Sequence, residues 1–163
     1  MWYALHTKPR QEESAALNLI REAITVFNPR TRRARIGRGK IVRAAEPLFP
    51  GYIFADFIPE KHYNLVRYAR GVSSIVGGVD SIWQVSQQII DLIRAREDDD
   101  GYIKLVSTLQ PGDLVEIHNG PFKGLTGIFA GQLRPAERVM ILLRSINMQA
   151  RLEIDQGFLQ KVR

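Results

Sequence analysis

EPLFPGYIFADF, Glu46 to Phe57, is the stretch on which the reading of the chain turns. It alternates Tyr52, Phe54 and Asp56 against Ile53, Ala55 and Phe57, the period of two expected of a strand whose successive side chains point to opposite faces. Aromatic side chains thus leave from both faces. If Ile53 and Phe57 enter a core, the face of Tyr52 and Phe54 must meet something else.

Upstream, Met1 to His6 alternates as a strand should, and Thr7 and Pro9 with Glu12 and Glu13 announce a helix start. Ala16, Leu19, Ile20, Ala23 and Ile24 recur at three and four, which predicts a helix continuing to Asn28-Pro29 with Asn18, Arg21 and Glu22 largely outside. Arg30, Arg32, Arg33, Arg35, Arg38, Lys40 and Arg43 then place seven cations in fourteen residues with no acid between them. Gly37-Arg38-Gly39 splits the run as a hairpin tip, with Ile36, Ile41 and Val42 giving strand character on either side. A basic β-hairpin is expected, and such a field suits phosphate.

Downstream, Glu60 to Tyr68 reads as a helix, Val72 to Val76 as a strand, Gly77-Gly78 as a turn and Ser86 to Arg96 as a helix. The order is βαβββαβα, an α+β domain with an antiparallel sheet over residues 1–97. Glu97 to Gly101 carries four acids and no apolar residue, so a flexible linker is expected over 98–107. Residues 108–163 show short strands with Gly and Pro turns, as a small five-stranded β-barrel requires.

The 163 residues, 45% apolar and 25% charged, suit one moderate core or two small ones and exclude a large multidomain enzyme. Cys is absent, so no disulfide, thiolate nucleophile or Cys-based zinc site can form, and His6, His62 and His118 are scattered. No metal or cofactor is expected. No stretch approaches the ~18 apolar residues of a membrane helix, and the N-terminus lacks the pattern of a secretory leader, so a cytoplasmic protein without a membrane partner is expected. The net charge of +6 is uneven: +7 over residues 1–45, −4 over 46–100 and +3 over 101–163. The acids cluster only at Asp98 to Asp100, which is too little for a nuclease or phosphotransferase, so no enzyme is expected.

GDLVEIHNGPFKGLTGIF, Gly112 to Phe129, has the spacing of a KOW motif, found in ribosomal proteins and transcription factors alike. WYALHTKPRQE (Trp2 to Glu12), EPLFPGYIFADF and RGVSSIVGG (Arg70 to Gly78) together resemble the N-terminal (NGN) domain of the NusG family of transcription factors. Within that family the resemblance is closer to the specialised RfaH-type antitermination paralogues. A housekeeping NusG-like elongation factor and a ribosomal or RNA-binding KOW protein are the alternatives. The latter would account for the charge and the barrel but not for PLFPGYIF.

The resemblance implies a monomer that binds RNA polymerase at the clamp helices of its largest subunit through Phe49, Pro50, Tyr52 and Phe54, holding the clamp closed and suppressing pausing and termination at specific operons. It implies non-template DNA contacts at Lys8, Arg21 and Arg70. Asn18 and Glu22 depart from the RfaH pattern, which points to a different recognition element. The hairpin cations Arg32, Arg33, Arg35, Arg38 and Lys40 would meet upstream duplex DNA. For the KOW domain it implies the ribosomal protein NusE as partner, through Phe122 and Ile146. Ser145 to Gln149 lacks the Phe-Gly pair of housekeeping factors, so contact with Rho is not expected.

RfaH-type proteins can also hold the C-terminal domain as a helical hairpin over the docking face, with an interdomain pair to which Glu46 and Arg138 correspond. Val139 to Ile154 fits either state, alternating as strands yet giving a helical stripe at Val139, Leu142, Leu143, Ile146 and Ala150. Gly124 and Gly127 weigh against a helix there at roughly 1 kcal/mol each.

Overall fold

Strand β1 (Trp2–Thr7) has almost no exposed residue, and the N-terminal part is built around it. There follow α1 (Glu12–Arg21), β2 (Thr25–Phe27), β3 (Arg30–Gly37), β4 (Lys40–Pro47), β5 (Tyr52–Asp56), α2 (Pro59–Arg67), β6 (Val72–Ile75), β7 (Gln84–Val85) and α3 (Gln87–Arg94). The C-terminal part contributes β8 (Leu114–Ile117), β9 (Thr126–Ile128), α4 (Pro135–Ile146) and β10 (Leu159–Lys161). The computed structural model describes residues 1–77, 81–104, 112–117, 124–128, 135–146 and 159–161. Phe122 lies outside the described residues.

One antiparallel sheet runs β2-β5-β1-β6, with β7 also paired to β1. Its register sets Ala4 opposite Phe54 and Leu5 opposite Ile53, so the alternation read from Tyr52 to Phe57 becomes two faces. Ile53, Ala55 and Phe57 join Tyr3 and Leu5 beneath Ala15, Ala16 and Leu19 of α1 and Val66 of α2. On the other face Phe54 joins Trp2, Ala4 and Phe27 beneath Ile90 and Ile93 of α3. Burying each such large side chain is worth about 1.5–3 kcal/mol. The expected α+β sandwich is therefore present, with a helical layer on each face of the sheet.

Helix α1 is shorter than its periodicity predicts. It stops at Arg21, and Thr25–Phe27 pairs with β5 as an edge strand, its β-branched and aromatic residues suiting a pleated surface. The stop is a Schellman closure: the Ile24 amide donates to the Leu19 carbonyl at 3.1 Å, the Ala23 amide donates to the Ile20 carbonyl at 3.0 Å, and Ala23 takes φ 61°. Ile20 is consequently 53% exposed rather than in the stripe, whereas Leu19 and Ile24 are buried. A left-handed alanine is strained, so Ala23→Gly should stabilise the protein by about 0.5–1 kcal/mol in urea unfolding.

The segment expected to begin a flexible linker is folded over residues 98–104. Asp98 Oδ1 accepts from the Asp100 and Tyr102 amides at 2.9 and 3.0 Å, closing a turn whose bond from Tyr102, above all, holds the Asp98 carboxyl below the usual carboxylate range. The turn delivers Ile103, 3% exposed, to the base of β3. There the Ile103 amide donates to the Arg30 carbonyl at 2.7 Å and the buried Thr31 hydroxyl donates to the Ile103 carbonyl at 2.9 Å. An acidic run with no apolar residue of its own is thus held by backbone bonds to a strand about seventy residues upstream.

Among the described residues the C-terminal part carries strands and a helix together. β10-β8-β9 form a three-stranded antiparallel sheet, so Gly124 and Gly127 are not in a helix. Val139 to Leu143, expected as a strand in the barrel reading, lie instead inside α4. The spacing of four among Arg138, Leu142 and Ile146 puts them on one helix face, and all three are buried. Leu142 and Ile146 belong to the same core as Phe54.

Candidate functional site

Phe49-Pro50-Gly51-Tyr52 forms a tight turn before β5, with the Tyr52 amide donating to the Phe49 carbonyl at 2.9 Å. Proline second and Gly51 third, at φ 84°, are what a type II turn demands. The turn is pinned from two sides: the Gly51 amide donates to Glu12 Oε1 at 2.8 Å and the Thr7 amide to the Gly51 carbonyl at 2.8 Å. Pro50 is exposed at its tip, and Phe49 and Tyr52 are half-buried on its shoulders. Tyr52 stacks on His6 with centroids 5.0 Å apart, while Phe49 meets Phe54 edge-on at 6.0 Å.

Phe54 itself has no exposed surface, and Phe27 lies stacked beside it at 6.0 Å. Helix α4 contributes to this burial, because Leu142 and Ile146 pack into the core to which Phe54, Leu48 and the partly buried Phe49 and Tyr52 belong. Arg138 fixes the helix: its Nε donates to the Leu48 carbonyl at 2.8 Å, and its Nη2 lies 3.9 Å from Glu46 Oε1. Arg138 is only 6% exposed in this arrangement and Glu46 16%. Ile146, expected to face a partner of the C-terminal domain, is buried here.

Two of the three cations of the expected DNA face are brought together by backbone. The Lys8 amide donates to the Gly71 carbonyl at 2.8 Å, which joins Lys8 to the loop carrying Arg70. Asn18 extends from α1 to donate to the Arg70 carbonyl at 3.0 Å. Arg21 follows Asn18 by three residues, hence on the same side of α1, and Lys8, Arg21 and Arg70 are all exposed. Asn18 is thus a brace for this loop, a role its position in the sequence did not disclose.

The hairpin forms as expected, with Gly37 opposite Lys40 and Arg38 and Gly39 at φ 49° and 73° in its two-residue turn. Arg38, Lys40 and Arg43 are exposed. Arg33 stands opposite Ala44 and Arg35 opposite Val42. Arg32 is committed elsewhere: its Nη2 is 3.0 Å from Asp100 Oδ2, its guanidinium lies 4.1 Å from the Tyr102 ring centroid, and the hydrogen bond to Asp100 strengthens its hold on the proton. It ties the hairpin to the 98–104 turn. Among the described residues no group of His, Asp and Glu could hold a metal ion, and no helix is long and apolar enough to cross a membrane.

The chain is similar to known proteins along nearly its whole length. The chain is 24% identical to the transcription termination/antitermination protein NusG of Deinococcus radiodurans, with 94% of this chain and 95% of that protein covered. It is 22% identical to the NusG of Pseudomonas aeruginosa, with 99% and 98% covered. Among solved structures, NusG from Thermotoga maritima superposes with a TM-score of 0.45 at 22% identity, covering 83% of this chain and 81% of that one. The family model described as transcription termination factor nusG matches residues 1–94, more than half of the chain, which therefore belongs to the NusG family.

Proposed function

We propose that this chain is a transcription elongation and antitermination factor of the specialised RfaH type. In this reading residues 1–104 bind RNA polymerase at the clamp helices of its largest subunit through Phe49, Pro50, Tyr52 and Phe54, and contact the non-template strand through Lys8, Arg21 and Arg70. The observation that carries it is the position of α4, which packs on the aromatic face of β5 and is held there by Arg138 on Glu46 and Leu48. A helix covering the docking face makes the free protein closed, and polymerase would select the form in which α4 has left, by binding that form better.

Arg38, Lys40 and the neighbouring hairpin cations then contact upstream duplex DNA. NusE is the partner of the released C-terminal part, through Phe122 and Ile146, and Rho is not a partner. A fragment of residues 1–104 should copurify RNA polymerase more strongly than the whole chain, since it lacks α4. The fragment needs to run to 104 because Ile103 completes the base of β3. Within it, Phe49→Ala should weaken binding by about 2 kcal/mol, as for an apolar anchor. A correctly folded fragment that retained no polymerase would overturn the assignment.

A further inference from the structure

Tyr68 ends helix α2, with its amide bonded to the Asn64 carbonyl at 3.1 Å, and its side chain is 75% exposed. In this domain Trp2, Tyr3, Phe27, Phe54 and Phe57 are all buried, so a large ring left in solvent has forgone the burial that stabilises its neighbours. The Arg67 guanidinium lies 5.3 Å from the ring centroid, and exposed Arg70 follows Tyr68 by two residues. Lys8 is joined to the same loop through the Gly71 carbonyl, and Asn18 through that of Arg70.

The loop is also held firmly in place. Gly71 takes φ 95°, and a Cβ there would come within 3.0–3.1 Å of Ala15, so the backbone at Gly71 sits directly on α1 with no room to spare, and the Asn18 side chain of the same helix holds the Arg70 carbonyl. An open aromatic face beside exposed cations, on a backbone fixed from two elements, is the chemistry that binds single-stranded nucleic acid: bases stack on the ring and phosphates pair with the cations.

We propose that Tyr68 is a base-stacking residue for an unpaired nucleotide of single-stranded DNA, with Arg70 and Lys8 taking the adjoining phosphates. The proposal rests on the reading of the Lys8, Arg21 and Arg70 face as a DNA site and assigns that face its base contact. The test uses the full chain and a short single-stranded DNA containing 2-aminopurine, with affinity followed by anisotropy and stacking by quenching of the modified base. Tyr68→Ala should weaken binding about ten-fold and abolish quenching, with the salt dependence unchanged, whereas Tyr68→Phe should behave as the parent. Arg70→Ala should instead reduce the salt slope. If Arg70→Ala weakens binding while Tyr68→Ala binds and quenches as the parent does, stacking is refuted and the DNA face stands. If the parent fails to bind the oligonucleotide, or neither variant changes binding, the DNA face and the stacking proposal fall together.

Discussion

Phe54→Ala should destabilise the N-terminal sheet by about 3–5 kcal/mol, the cost of emptying a fully enclosed phenylalanine site. Phe54 sits on β5, between β1 and β2, with Phe27 and Phe49 each 6.0 Å away and no surface exposed. The void would be lined by strand residues on one side and by α3 and α4 on the other, and strands paired in register on both edges cannot easily collapse into it. With a domain stability of roughly 5–15 kcal/mol, the loss is a large fraction of the whole. Urea unfolding followed through the buried Trp2 measures it, and a change below about 1 kcal/mol would show that the site can collapse. Polymerase binding lost in this variant therefore reports on the fold as well as on the interface. Phe49, half-buried on the turn, separates the two.

Glu46→Ala should release α4. In the docked state the Arg138 guanidinium is 6% exposed, 3.9 Å from the Glu46 carboxylate. Taking away one member of a buried ion pair costs about 3–5 kcal/mol, because the remaining charge stays desolvated. Undocking returns that charge to water at the expense of the apolar contacts of Leu142 and Ile146, which at about 1.5–3 kcal/mol each are of comparable size. Hydrogen exchange of the amides from Val139 to Ile146 should accelerate by an order of magnitude or more. Exchange unchanged from the parent would show that the pair does not hold the helix. The double variant Glu46→Leu with Arg138→Met should restore protection, since an apolar pair of similar volume avoids the desolvation altogether.

Much of this was legible in the sequence because it is local. The alternation of Tyr52 to Phe57 needs only the geometry of a strand, and the hairpin tip at Gly37-Arg38-Gly39 needs only a backbone with φ above zero. Strand β2 was hidden because Ala23 and Ile24 prolong the helical spacing of α1 past the closure that ends the helix. The fold of residues 98–104 was hidden for another reason: its partners are the Arg30 carbonyl and the Thr31 hydroxyl, and nothing in a run of acids indicates where its backbone bonds will go. The same distance conceals that Arg32, one of seven cations in its run, is occupied by Asp100. The stretch from Val139 to Ile154 carries both periodicities at once, and over its first eight residues the docking of Leu142 and Ile146 decides for the helix.

The central position of β1 has a consequence for how the protein is made. Trp2 pairs with Asp56 on one side and with Val85 on the other, so this strand waits for partners encoded far downstream. At about 5–20 residues per second, that delay lasts seconds. Both edges of this apolar strand are open until β5 is made, and one edge stays available to a neighbouring chain until β6 and β7 follow. The β3–β4 hairpin needs no such partner, because its strands are joined by two residues and can zip in about 1–10 μs. During biosynthesis the arm is therefore in place while the sheet that will carry it is still incomplete, and the interval of greatest exposure to misassembly closes only when Gln84 and Val85 reach β1.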